Sequence, residues 1–216
     1  MSEKLNYAHV RNFLLALASR VVQSKDELND MDAACGDGDF GTGMYLGFKA
    51  ALNAVEELQS EDIGTLLTAA GQSILSSTGG ASGPLFGTFF IEAGRAVKGK
   101  NELDLSDLTT MLDMSMQKIQ ARGGAKVGDK TVIDALEPAV ASLRASAESD
   151  VAVPLALEKA AEAAKQGFES TKHLIAKHGK ARYLGAQTLG HADPGACVIA
   201  LILETLAASC GTKPQD

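Results

Sequence analysis

Three aspartates, Asp32, Asp37 and Asp39, fall within eight residues of a stretch that reads Asp32-Ala-Ala-Cys-Gly36-Asp37-Gly38-Asp39-Phe40-Gly41-Thr42-Gly43. Carboxylates this close repel one another, which opposes their ionising together unless a counter-ion joins them. A hard divalent cation relieves the repulsion. Mg²⁺ in particular uses a few carboxylates and completes its shell with water and phosphate oxygens. The interleaved glycines allow the tight turns such a loop needs. The bland alternative is a solvated acidic turn after a helix, since clustered charge is usually only hydrated.

Three familiar patterns overlap the glycine loops and fail. Gly36-x-Gly38-x-x-Gly41 matches a dinucleotide fingerprint, but no strand precedes it and its aspartates oppose a bare pyrophosphate. Asp37-x-Asp39-x-Gly41 begins like a calcium loop, yet Phe48 stands where the twelfth position requires a bidentate Glu. Gly123-x4-Gly128-Asp129-Lys130-Thr131 is a near miss to a Walker A loop, with Asp129 in the lysine position. An acid there faces phosphate with the wrong sign.

Other loops suit anions. Gly79-Gly80-Ala81-Ser82-Gly83-Pro84-Leu85 heads a predicted helix, where free N–H groups and the helix dipole attract negative charge and Ser82 adds a hydroxyl. A plain helix–helix turn explains the same residues. Asp193-Pro194-Gly195 reads as an N-cap with Pro in the first turn, and Lys180 and Arg182 are cations that could meet phosphate, stack on a base or simply be solvated. His191 is a lone loop histidine. Cys35 sits among anions that would raise its pKa, so it is assigned no chemistry.

Helices must position these loops. Val10, Phe13, Leu14, Leu17 and Val21 keep a helical rhythm, and the same spacing predicts eight helices. They are expected over 5–24, 43–58 and 62–77 (Asp62 as N-cap), from Ser82, from a Ser106 cap, from near Thr131, over 153–177 and from Pro194. No stretch alternates with period two, so the chain reads as all-α, a single domain spanning 1–216. Apolar residues at 45% and charged residues at 22% are ordinary for a globular protein. The net charge of −7 argues against a nucleic-acid surface. Three scattered cysteines without a CxxC pair fit a reducing compartment. Glu3 and Asn6 interrupt any signal-peptide pattern, and the apolar run ending at Leu203 meets Glu204 far short of a membrane span. A cytoplasmic location is expected.

Together the loops resemble the L subunit of dihydroxyacetone kinases over nearly the whole chain. The specific stretches are Asp32-x4-Asp37-x-Asp39, Gly79 through Phe90, Gly128-Asp129-Lys130-Thr131, Tyr183-Leu184-Gly185, and Gly190 through Ala196. The resemblance implies an eight-helix antiparallel up-and-down barrel with ADP or ATP and two Mg²⁺ ions in loops at one end. It implies Asp32, Asp37 and Asp39 as metal ligands. Phe40, Gly41, Thr42, Gly43, Ala81, Ser82, Gly123, Val132, Lys180, Asp193, Pro194 and Gly195 are implied as nucleotide contacts. Phe40 stands where relatives often carry His, and Lys180 where Arg is common.

The resemblance further implies a separate K subunit that holds the keto-sugar, and either free ATP or a phosphohistidine protein of the sugar phosphotransferase system as donor. We also expect a homodimer. No residue of this chain is assigned as a nucleophile or base, because phosphoryl transfer asks the protein mainly for positioning and charge neutralisation. Two other readings stay open: a nucleotide-sensing coregulator of a transcription factor, and a kinase subunit for a four-carbon ketose or an acyl group.

Overall fold

Apolar stripes at helical spacing give nine α-helices among residues 4–211, the residues the computed structural model describes. Residues 1–3 and 212–216, and with them Glu3 and both ends of the expected 1–216 domain, lie outside the described residues. The helices are α1 (Tyr7–Gln23), α2 (Lys25–Ala33), α3 (Phe40–Glu57), α4 (Ile63–Ser77), α5 (Ser82–Ala96), α6 (Leu105–Gly123), α7 (Ile133–Glu148), α8 (Val153–Ser170) and α9 (Pro194–Gly211). Apart from the short α2, each packs on the next in sequence, and α9 closes on α1. Connections as short as 78–81 and 149–152 only let a helix turn back on its predecessor. The outcome is the eight-helix up-and-down barrel.

Its core is one continuous cluster to which every long helix contributes, among them Leu17, Phe48, Leu66, Phe86, Leu108, Leu136, Leu157 and Ile199. Three phenylalanines meet edge to face inside it, Phe48 with Phe90 at 6.1 Å and Phe89 with Phe90 at 5.1 Å between ring centres. Alternating helix direction then sorts the connections by end. Segments 34–39, 78–81, 124–132 and 171–193 all lie at one end, and the N-termini of α3, α5, α7 and α9 open there. Every residue expected to bind metal or nucleotide lies in or beside those segments.

The boundaries differ from the sequence expectation in instructive ways. Helix α2 was not anticipated: its sequence KDELNDMDA buries only Leu28, so it has no apolar stripe to detect. The first helix starts at Tyr7, because Asn6 Oδ1 caps the His9 N–H at 3.0 Å, and Leu5–Asn6 (β1) pairs with Glu102–Leu103 (β2) at the opposite end. The cap of α6 is Asp104, not Ser106: Asp104 and Asp107 form a reciprocal capping box. Asp62 does cap α4, on the Thr65 N–H at 2.6 Å. Helix α3 starts at Phe40 and α7 at Ile133, and α8 ends at Ser170, seven residues short of the expectation. No helix among the described residues is long and apolar enough to cross a membrane.

Candidate functional site

Asp32, near the end of α2, organises the acidic loop. Its Oδ2 accepts the backbone N–H groups of Gly38 at 2.9 Å, Asp39 at 3.1 Å and Phe40 at 3.3 Å. Those bonds curl residues 36–40 around the carboxylate, with Gly38 at φ +75° taking the left-handed turn. The curl brings one carboxylate oxygen from each of Asp32, Asp37 and Asp39 within 4.8 Å of the others. An octahedral Mg²⁺ with ligands at ~2.1 Å spans about 4.2 Å, so the donor set fits one such ion or a pair sharing ligands. Asp37 and Asp39 are exposed and Asp32 is half-buried, which leaves a solvent-facing side for water or phosphate ligands.

Asp39 immediately precedes α3, yet its side chain makes no capping bond. Asn29 of α2 does that work. Its Oδ1 accepts the Thr42 N–H at 2.9 Å, and its Nδ2 donates to Thr42 Oγ1 at 3.1 Å. The Asp39 carboxylate is thereby spared for the cluster. The arrangement needs α2 and α3 in close contact at Gly41, where an added β-carbon would lie 2.0 Å from the Lys25 carbonyl oxygen and 2.8 Å from the Asn29 nitrogen. Gly41→Ala is therefore expected to lower stability by about 2–3 kcal/mol through overpacking against rigid backbone. Urea unfolding measures it; an unchanged midpoint would mean that the two helices do not touch there.

Lys180 crosses from the 171–193 segment to pair with Asp37. That hydrogen bond is the main reason the Asp37 carboxyl is held below its usual range, and Asp37 in turn raises Lys180. Phe40 points its ring into the core margin, edge-on to Phe86 at 6.4 Å, so any nucleotide contact from it would come from its backbone. Thr42 is exposed. Gly43 abuts the α5 loop: a β-carbon there would sit 3.3 Å from Ser82 Oγ, and buried Thr78 donates to the Gly43 carbonyl at 3.4 Å. Ala81 offers no side-chain cap, so the first N–H groups of α5 are not taken by one.

Asp193 caps α9 through Oδ2 to the Ala196 N–H at 2.7 Å. Burial pushes its carboxyl up to about 6, against the opposing pull of that N–H and of the Lys130 ammonium. Gly195 packs beside buried Val132, whose Cγ1 would lie 2.9 Å from an added β-carbon. Pro194 opens α9, and Gly123 stands exposed at the end of α6 with open space around it. The fold thus joins the three aspartates, residues 40–43, Ser82 and Lys180 by direct contacts, and Val132 to residues 193–195 by another set.

The loop before α7 binds these sets together, a role with no local sequence signature. Asp129 is buried, with Lys177 Nζ on one oxygen at 2.7 Å and His178 Nε2 and the Lys126 N–H on the other at 3.1 and 2.8 Å. These partners, Lys177 foremost, hold its carboxyl at about 2. Its neighbour Lys130 buries its ammonium against the carbonyls of Thr171, at 2.6 Å, and His191. Buried Asp134 accepts the N–H groups of Gly128 at 2.6 Å and Thr131 at 2.8 Å. The sequence shows only an adjacent acid and base just before a helix, and neither the failed Walker pattern nor the family stretch Gly128-Asp129-Lys130-Thr131 gives these residues a bracing role. Cys35 is buried beside the cluster, and its thiol is pushed up as expected, though by burial first and by Asp193 and Asp32 only after it.

The family profile described as the DAK2 domain matches residues 34–208. The chain is 38% identical over 203 residues to the PEP-dependent dihydroxyacetone kinase, ADP-binding subunit DhaL, of Escherichia coli (strain K12), covering 94% of this chain and 97% of that one. Among solved structures, the native dihydroxyacetone kinase of C. freundii superposes with a TM-score of 0.72 at 29% identity, over 93% of this chain and 34% of that one. The same kinase in complex with AMP-PNP and Mg²⁺ gives a TM-score of 0.69 at 30% identity, over 94% of this chain and 33% of that one. This chain therefore spans about a third of the C. freundii enzyme.

Proposed function

The chain belongs to the DAK2-domain family, and on that premise we propose that it is the ADP-binding, magnesium-dependent phosphoryl-transferring subunit of a dihydroxyacetone kinase, acting with a separate K subunit that holds the keto-sugar. The observation that carries this reading is the meeting of Asp32, Asp37 and Asp39 with the opening turns of α3 and α5 at one end of the barrel. A cation site and an anion site are thereby adjacent, which is what a metal–nucleotide complex requires.

The three aspartates would hold two Mg²⁺ ions, which when bound neutralise phosphate charge and polarise the transferring group. Asp32 is fixed by three N–H bonds and presents its carboxylate without reorganisation. The N–H groups at the start of α5, with the Thr42 hydroxyl, Gly43 and Ser82, would receive the phosphates. Lys180, now on Asp37, carries the positive charge nearest the cluster and would turn to phosphate when the metal takes its place. Val132, Gly123 and residues 193–195 would border the nucleoside. Similarity to a PEP-dependent subunit over almost its full length favours ADP as a retained cofactor, recharged by a phosphohistidine protein, over exchange with free ATP.

The test is linkage. A ligand that binds only the folded chain stabilises it by RT ln(1 + [L]/Kd), about 2.7 kcal/mol at a hundredfold excess over Kd. Mg–ADP should raise the melting temperature, and EDTA should abolish the increment. A melting curve indifferent to both would refute the reading.

A further inference from the structure

Residues 171–193 leave α8, cross the site end and return to α9, with two short 3₁₀ turns at Thr171–His173 and Ala181–Thr188. The two feet of this long segment meet. The Gly190 N–H donates to the Lys172 carbonyl at 2.8 Å, and the Asp193 N–H to Thr171 Oγ1 at 2.9 Å. Into this junction Lys130 projects from the loop before α7. Its ammonium donates to the carbonyl of Thr171 at one foot and to that of His191 at the other. Lys130 is only 5% exposed, so backbone carbonyls, in place of water, solvate the charge.

Charge-assisted bonds of this kind are stronger than neutral ones, and this pair ties one foot of the segment to the other through a single ammonium. The backbone at Lys130 is left-handed, with φ +59°, a conformation that Gly or Asn adopts more readily. A lysine is held there at some conformational cost. Its neighbour Asp129 grips the same segment further along, through the Lys177 N–H, which reaches the Asp129 carbonyl at 3.1 Å, and through the Lys177 and His178 side chains. Just beyond that grip, Lys180 reaches Asp37.

We propose that Lys130 is a positioning residue for the site: by pinning both feet of the 171–193 segment, it sets where Lys180 meets the aspartate cluster and how Asp193, Pro194 and Gly195 open α9. Lys130 touches none of the three aspartates. Its effect on nucleotide rests on the reading of the cluster as a metal–nucleotide site; its effect on the segment does not.

Two readouts test this. In the free protein, Lys130→Met should speed hydrogen exchange across residues 174–190 by at least about tenfold while amides of α1, α4 and α5 keep their protection. Mg–ADP affinity by calorimetry should fall by about tenfold, the usual scale for a residue acting through another. Lys130→Arg should restore most of both, because a guanidinium can donate to two carbonyls. The loss should also be non-additive with Lys180→Ala, since both changes act through one segment. Unchanged exchange at 174–190, or fully additive losses of affinity, would overturn the proposal. If Lys130→Met does not fold, Lys130→Gln, neutral and shorter, takes its place and must quicken the same amides selectively. A wild-type chain that binds no Mg–ADP would sink the proposed function, and the exchange measurement would still decide the role of Lys130.

Discussion

Replacing Asp37 with alanine is expected to weaken Mg–ADP binding by more than about a hundredfold, because loss of a direct ligand should exceed the 10–100-fold range seen for residues one shell further out. Folding stability should hardly change. Asp37 and Lys180 are both largely exposed, and exposed ion pairs contribute little to folding. Asp32→Ala provides the contrast. Its Oδ2 accepts three backbone N–H bonds, so the variant should lose metal and also about 1–3 kcal/mol of stability as the loop uncurls. Calorimetry with Mg–ADP and urea unfolding in EDTA separate the two effects. Unchanged affinity in Asp37→Ala would remove the cluster from the metal site, and equal stability in both variants would show that Asp32 does not organise the loop.

This contrast marks what a sequence reveals about a site. The aspartate cluster is local: eight residues hold all three carboxylates, so residue type and spacing were enough to suggest a cation. The long helices were equally legible, because each buries a continuous stripe that residue periodicity exposes, whereas their closure into a barrel was implied only by the family resemblance. Helix α2 escaped because it buries Leu28 alone, and it carries both Asp32 and Asn29. Nothing near Asn29 in the sequence says that it will cap α3 thirteen residues later, releasing Asp39. Lys130 was hidden for a related reason. Its partners lie 41 and 61 residues away and are backbone carbonyls, which have no sequence signature. Local chemistry can be read from composition and spacing, whereas what holds it in place depends on contacts that only the closed ring creates.

Turnover is where omission of a component should matter most. With the keto-sugar-binding subunit left out, this chain with Mg–ATP is expected to phosphorylate dihydroxyacetone at least about a thousandfold more slowly than the complete mixture. Orientation alone is worth effective molarities of up to about 10⁵–10⁸ M, and a small neutral ketone must be held by groups that fit it before that advantage is realised. The site end of this barrel offers carboxylates, an ammonium group and helix N-termini. Those groups complement cations and phosphate, and once metal and nucleotide engage them few are left to orient a small neutral ketone. A coupled assay for triose phosphate, with each component omitted in turn, reads the loss. Supplying a phosphohistidine donor in place of ATP, with bound ADP retained, should sustain the rate if the nucleotide is a cofactor. Asp37→Ala should suppress turnover with either donor, which would tie the measured rate to the aspartate cluster. Rapid turnover by this chain and Mg–ATP alone would overturn the division of labour and require a sugar site within the barrel itself.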